Sequence, residues 1–395
     1  MTEQIQPDIR QEVMAANYAI LDMAEQTQAP PEAVRALSET TRAAYAAGGF
    51  ALAHGYVSEA VERLYLQPTS SFELWNTLFA ESRNEEARDE ARKSAGVWLN
   101  PQESNLTRLD CGTPTLVSRM LSLAEAGDLA LISFARRIIE DEDLGSATPH
   151  LLSRLYCVGK REVLPDALAS IEEYLKQPHC NESVLWSQYT AMTQAALAGS
   201  STDALTILGA VNDPVESALI TADLLEAGYT YFIHPLLHFI SKRPPDMLTM
   251  SLERLLARRG VSSIAQKIGG RALHNLPHPH YDDYAQSDDL RALYEIDYPG
   301  TTRRMLHLAR HADSLAPFFA NLQAVGMQKE ARDLALRRYA LDPSVETMHY
   351  VLHAGVLDIK IWRSLFDYYL GEARDIFTAS QMISALAKGE YNRGS

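Results

Sequence analysis

The sequence predicts an all-α protein built as a right-handed superhelical solenoid of antiparallel helical hairpins. Apolar residues recur at helical spacing through most of the 395-residue chain, which is the pattern of helices that bury one face. A glycine, a small residue and a proline return in the same order along the chain, as expected for a stacked array. No run of alternating β-branched residues indicates a strand, so we do not expect a sheet.

The clearest hairpin covers residues 315–343. Its first helix has one apolar face, formed at i, i+3, i+4 and i+7 by Leu315, Phe318, Phe319 and Leu322. Gly326 ends that helix, because glycine adopts the left-handed backbone without a steric penalty. The second helix stops before Pro343, since the residue before a proline is pushed out of the helical region. Ala331 lies where the two helices would cross most closely.

This hairpin resembles a tetratricopeptide repeat, with matching positions at Leu322, Gly326, Ala331 and Pro343. It lacks the tryptophan of that family's first helix, and Phe319 stands where a small residue is expected. The same spacing returns from Gly260 and Gly55, and weaker copies begin at Gly127, Gly159, Gly199, Gly228 and Gly300. The resemblance implies a superhelical stack whose concave face holds a peptide or a protein partner.

In chain order, residues 1–97 are expected to form an N-terminal capping helix and the first hairpins. Residues 98–114 lose the helical period and collect turn formers, which indicates a long loop or a boundary between two sub-arrays. The remaining segments are a central array (115–273), a loop rich in histidine and aspartate (274–289), C-terminal repeats (290–387) and a frayed tail (388–395). Near the C-terminus, the helical spacing of Trp362, Phe366 and Tyr369 predicts packing against a neighbouring helix.

Composition excludes several kinds of partner. The formal net charge of −15 and the pI near 5.3 argue against nucleic acid as a partner, because phosphate binding needs clustered Lys and Arg.

The three cysteines, Cys111, Cys157 and Cys180, are widely separated, so neither a disulfide framework nor a cysteine zinc site is predicted. No cofactor is expected. The longest uncharged apolar run, residues 227–241, is too short to span a bilayer, and we expect a cytoplasmic protein.

The loop at residues 274–289 suggests an alternative function, in which its side chains bind a metal ion. Its weak candidate metal ligands are His278, His280 and Asp282, together with His307 and His311 at i, i+4 spacing on one helix. Two imidazoles at that spacing share a helical face. No glutamate follows the first of them as in a zinc-protease helix, and histidines flanked by prolines are common in exposed loops. Surface histidines are therefore the favoured interpretation.

A basic strip lies within this acidic chain. Between residues 242 and 271 there are seven basic residues against two acidic ones. The predicted partner-binding residues are Arg254, Arg258, Arg259, Lys267 and Arg271. On an inner face they would attract an acidic or phosphorylated segment, because arginine binds carboxylates through two parallel hydrogen bonds. The alternative is a solvated helix face.

Two classes of function follow from these patterns. The favoured one is a non-enzymatic interaction module, acting as adaptor, chaperone or assembly scaffold for a protein or peptide. The alternative is an all-helical metal- or ligand-binding enzyme with its site at residues 274–289. A helical subunit of a secretion or surface-polysaccharide assembly is a third interpretation, and self-association is left open.

Overall fold

A computed structural model describes residues 7–27, 31–100, 105–108, 112–177, 182–275 and 328–389. The predicted all-α class is confirmed, because these residues are almost entirely helical. They divide into two compact units. The first draws on residues 1–210 and 366–390, and the second draws on residues 211–365.

The described part of the first unit consists of helices from the N-terminal half of the chain, a short β-hairpin, and one helix from its C-terminal end. These elements are α1 (Pro7–Gln26), α2 (Pro31–Arg63), α3 (Pro68–Ser82), α4 (Glu85–Ala95), β1 (Val97–Asn100), β2 (Asn105–Arg108), α5 (Thr113–Glu125), α6 (Ile132–Asp141), α7 (Thr148–Cys157), α8 (Leu164–Leu175), α9 (Glu182–Leu197), α10 (Ser201–Gly209) and, in chain order the last, α18 (Ile376–Ala387).

The described part of the second unit is also helical. It contains α11 (Pro214–Glu226), α12 (Ile233–Ser241), α13 (Met247–Arg258), α14 (Ser262–Asn275), α15 (Gln328–Leu341) and α16 (Val345–His353). Helix α17 (Ile359–Gly371) crosses the division between the two units. On α17, Trp362 is fully buried and Phe366 nearly so, which confirms the predicted packing role of these aromatic side chains.

One kind of helix ending recurs in both units. At Gly127, where φ is 119°, the Gly127 N–H donates to Ala124 O and the next N–H donates to Leu123 O. This pair of hydrogen bonds satisfies backbone carbonyls that have no donor within the helix at its C-terminal end. The same two bonds, with positive φ at the glycine, occur at Gly159, Gly228, Gly260 and Gly355.

Four of the eight predicted glycine positions agree with these endings. Gly199 follows a helix but has neither the positive φ nor the second bond, and Gly300 and Gly326 lie outside the described residues. Gly159, Gly228 and Gly260 terminate helices as expected, and Gly127, a faint copy in the sequence, has the same cap. Gly55 is a correction, because it lies inside α2, which continues to Arg63. The break in α2 falls instead at Gly49, whose backbone is non-helical with φ 73° and ψ −166°.

Helices that are adjacent in sequence pack against each other. Helix α5 contacts α6 and α7, α7 contacts α8 and α9, and α9 contacts α10. In the second unit, α11 contacts α12 and α13, and α13 contacts α14. Helix α6 also contacts α7, and α12 also contacts α13.

The C-terminal helix α18 packs against α1 and α2. Its apolar face has i, i+3, i+4 and i+7 spacing and is formed by the buried side chains of Ala379, Met382, Ile383 and Leu386. Helix α2 also contacts α3, so it lies at the centre of the first unit's core. The sequence predicted a helix here but placed it at the end of a C-terminal array.

A two-stranded antiparallel hairpin lies in the segment predicted as a loop. Strands β1 and β2 are paired along their whole length. Val97 lies opposite Arg108 at one end, and Asn100 lies opposite Asn105 at the other. The expectation of no sheet was wrong at this point. Strands of four residues are too short to show the alternation on which sequence recognition of strands depends.

Candidate functional site

A groove of about 590 Å³ opens in the first unit between α2, α3, α5 and the start of α7. We call it the α3–α5 groove. Its wall is rich in hydroxyl and amide groups, from Ser38, Thr69, Asn76, Thr77, Thr115, Ser118 and Ser122. Phe72, Pro114 and Leu151 add apolar surface. Hydroxyls and amides both donate and accept hydrogen bonds, so the wall suits a ligand with both kinds of group.

Arg119 on α5 lies in this wall and is only 9% exposed. Its Nη2 donates to the Thr69 hydroxyl at 2.6 Å, and its Nη1 donates to the carbonyls of Ala95 at 3.3 Å and Ser94 at 3.5 Å. The guanidinium carbon lies 5.7 Å from the centre of the Phe72 ring. Among the described residues, every acceptor of Arg119 is a neutral oxygen. The two carbonyls lie at the C-terminus of α4, where the helix dipole carries partial negative charge.

Asn76 on α3 supplies a second distinctive group. Its Oδ1 atom is buried and accepts no hydrogen bond from the part of the chain that the structure describes. Leaving a buried acceptor unsatisfied costs about 1–3 kcal/mol, and such groups are uncommon in folded proteins. A ligand that donates an N–H or O–H at this point would satisfy the Asn76 carbonyl.

His150 at the start of α7 lies beside the side-chain amide of Gln188. The amide nitrogen of Gln188 lies 3.3 Å from its Nδ1, and the Gln188 oxygen lies 3.2 Å from the Ser153 hydroxyl. Ser153 Oγ donates its single proton to the Pro149 carbonyl at 2.7 Å, so the Gln188 contact does not set which ring nitrogen of His150 carries the proton. Partial burial lowers the pKa of His150, and the Arg154 cation lowers it further. The ring is therefore neutral at pH 7, with one nitrogen that donates and one that accepts.

The other two arginines of this region are already paired with carboxylates. Arg42 pairs with Glu39 and lies 3.4 Å from a carboxylate oxygen of Glu81. Arg154 donates to both oxygens of Glu125, at 2.8 and 2.9 Å, and to the hydroxyl of Ser118 at 2.8 Å. Arg119 is therefore the guanidinium of this groove whose charge is not matched by a carboxylate in the described chain.

The second unit has a smaller pocket of about 420 Å³ between α11 and α12. Pro214, Ala218, Pro235, Leu236 and Phe239 form its apolar side, and His238, Lys242 and Arg243 are also in its lining. Arg243 stacks over Phe239, with 5.1 Å from guanidinium carbon to ring centre, and its Nη2 is 3.5 Å from an oxygen of Asp246. The Nε atom of Arg243 is buried without a hydrogen-bond partner among the described residues.

Most side chains of the predicted basic strip interact with other groups of the protein. Arg259 donates to the carbonyl of Glu226 at 2.5 Å, and Lys267 pairs with the buried carboxylate of Glu253. Arg254 and Arg258 are half-buried on α13, and the side chain of Arg271 lies outside the described residues. Capture of an acidic partner by this strip stays a prediction.

The proposed metal ligands His278, His280, Asp282, His307 and His311 lie outside the described residues. Within the described ranges, no three His, Cys, Asp or Glu side chains are grouped to hold a metal ion. None of the helices found there has the length and apolar character needed to cross a membrane.

Sequence reasoning missed the α3–α5 groove. One signal was available at Arg119, which interrupts the otherwise apolar buried face formed by Leu116, Val117, Met120 and Leu123. An arginine at such a position must find partners, because burying an unpaired charge is costly. Asn76 gave no comparable signal, since its role depends on which helices surround it.

Comparisons with protein family models, with curated proteins and with solved structures return no match for this chain. Its function is therefore inferred from the geometry of its own site.

Proposed function

We propose that this protein is a non-enzymatic interaction module, a TPR-like superhelical array of helical hairpins that holds a peptide or protein partner as adaptor, chaperone or assembly scaffold. The observation that carries the proposal is the α3–α5 groove. It is open, it is lined by polar and apolar side chains from four helices, and it holds a buried acceptor, Asn76 Oδ1, that the described chain leaves unsatisfied.

The recurrent glycine caps support the repeat part of the proposal. Five helices in the described chain end in the same pair of hydrogen bonds, and helices adjacent in sequence pack against each other. Stacking of this kind exposes an extended surface on which several helices contribute side chains. A cytoplasmic location is part of the same proposal and is drawn from the sequence.

The chemistry of the groove favours binding over catalysis. A histidine that acts as a general base is usually oriented by a carboxylate, which stabilises the imidazolium formed during the reaction. His150 has instead the amide of Gln188 3.3 Å from its Nδ1. A neutral amide has no negative charge with which to stabilise an imidazolium.

Selection from a displayed library of random twelve-residue peptides on the immobilised full chain tests the proposal. We expect a convergent sequence motif that is not recovered on heat-unfolded protein. If no sequence is enriched on the folded chain over the unfolded control, the proposal fails.

A further inference from the structure

We infer that the α3–α5 groove is the ligand site of this module and that its ligand is an extended peptide segment carrying an Asp or Glu side chain. The inference rests on the proposed function and adds a site and a ligand class to it. Three groups on three different helices carry it: Arg119 on α5, Asn76 on α3 and His150 on α7.

The acidic side chain is inferred from Arg119. Its described acceptors, one hydroxyl and two carbonyls, occupy three of the five N–H donors of a guanidinium. The charge is nine-tenths buried, and the carbonyls at the end of α4 offset it only in part. A carboxylate would use the remaining donors and supply the missing negative charge, since charge-assisted hydrogen bonds are the stronger kind.

The extended main chain is inferred from Asn76 and His150. Asn76 Oδ1 is a buried acceptor without a donor among the described residues, and the neutral His150 ring has one nitrogen that donates and one that accepts. A peptide backbone presents N–H and C=O groups in alternation, so one segment can satisfy both. A small carboxylate such as acetate could pair with Arg119 but would leave the Asn76 acceptor unsatisfied.

The dimensions are compatible with a short segment. Helices α5 and α7 are in contact, and packed helices have axes about 8–10 Å apart. An extended peptide rises about 3.3 Å per residue. Roughly three residues therefore bridge the two helices, and a twelve-residue peptide is long enough to engage all three groups.

The competing interpretation is that Arg119 only caps α4 and ties it to α3. The two interpretations differ in what Asn76 should do. A purely structural Arg119 gives no reason for a substitution at Asn76 to alter peptide binding. Asn76→Leu removes the acceptor while leaving the Arg119 hydrogen bonds in place, so it separates binding from folding.

The test uses the full chain and the peptides selected on it. We expect Asp or Glu to be enriched at one position of the selected motif. The best peptide, labelled with fluorescein, should bind at least about tenfold more weakly to Asn76→Leu and to Arg119→Gln, by fluorescence anisotropy. Arg136→Gln is the matched control, because Arg136 is an arginine of the same unit, on α6, that does not line the groove. It should change the Kd less than twofold.

Three outcomes would overturn the inference. The first is a selected motif without an acidic position, and the second is unchanged affinity in Asn76→Leu and Arg119→Gln. The third is binding that is weakened by Arg254→Glu, Arg258→Glu and Arg259→Glu but not by the groove substitutions. In the second and third cases the proposed interaction module is retained, and the assignment of the α3–α5 groove as its ligand site is rejected. If the folded chain enriches no peptide, both proposals are rejected. Thermal unfolding of each variant shows which of them remain folded.

Discussion

Arg119 connects three helices through one side chain. It reaches the end of α4 through the Ser94 and Ala95 carbonyls, and it reaches α3 through Thr69. Arg119→Met keeps much of the apolar stem but removes these donors, so the hydrogen bonds to the Ser94 and Ala95 carbonyls and to Thr69 are lost. We expect the free energy of unfolding to fall by about 1–3 kcal/mol, measured by urea denaturation.

Arg136→Met is the control for that measurement. Arg136 forms exposed ion pairs with Glu140 and Glu162, and such pairs contribute little to stability. The control should change stability by less than about 0.5 kcal/mol. Equal losses in both variants would show that Arg119 has no special structural role.

His150 gives a prediction about pH. Its pKa in the folded protein is lowered from the ordinary value of 6.5, first by burial and then by Arg154. As pH falls, the unfolded chain therefore binds the proton first, and His150 contributes a loss of stability that begins near pH 6.5 and is complete below the folded pKa. Above pH 6.5 the ring is neutral in both states and contributes none.

His150→Gln checks this sign, because glutamine does not titrate. We expect the stability of the wild type relative to the variant to be lower at pH 5 than at pH 8, measured by urea denaturation at each pH. A difference that is constant with pH would contradict the prediction.

Prediction of the site from sequence stops at single positions. The arginine in the apolar face of α5 is visible in the sequence, because it breaks a helical pattern. The pairing of Arg119 with Thr69, and the isolation of Asn76 Oδ1, depend on contacts between residues far apart in the chain. Periodicity carries no information about those contacts.

At the scale of the helix, the glycine caps were predictable because their cause is local. At Gly228, φ is 106° and an added Cβ would meet open space, so strain of the backbone alone opposes substitution. Gly228→Ala should cost about 1–2 kcal/mol. The measurement is the midpoint of urea unfolding compared with that of the wild type.

Gly270→Ala is the matched control in the same unit. Gly270 lies in α14 with no positive φ, and its Cβ position is also open. Alanine there should stabilise the helix by about 0.5–1 kcal/mol. Substitutions of opposite sign at two glycines with equal space would establish that the caps act through backbone conformation. A stabilising effect at Gly228 would refute this account.

Gly55 shows where the local rule fails. Its sequence neighbourhood resembles the other repeats, yet α2 continues through it and bends at Gly49 instead. Glycine permits a helix to end but does not require it. At Gly48, an added Cβ would collide with Leu52 Cδ2 and lie 2.9 Å from Arg10 Nη2, so these side chains would have to shift.

On the scale of the whole chain, the sequence predicted the helix α18 but not its neighbours. Its apolar face identifies a helix that must bury one side, whichever helix covers it. The contact with α1 and α2 joins the two ends of the described chain within the first unit. Local residue patterns do not show contacts between segments so far apart in sequence. The array expected from hairpin spacing therefore placed α18 at the end of the C-terminal repeats.

The contact predicts that a change in α18 weakens helices at the opposite end of the chain. Ile383 is fully buried on the face that contacts α1 and α2, so Ile383→Ala should cost about 2–5 kcal/mol. Hydrogen exchange by mass spectrometry should show faster exchange in α1 and α2. Phe377→Ala, at a side chain that is 37% exposed on the same helix, should leave that exchange nearly unchanged. If Ile383→Ala accelerated exchange in α18 but not in α1 and α2, the C-terminal helix would not be part of the core that stabilises the N-terminal helices.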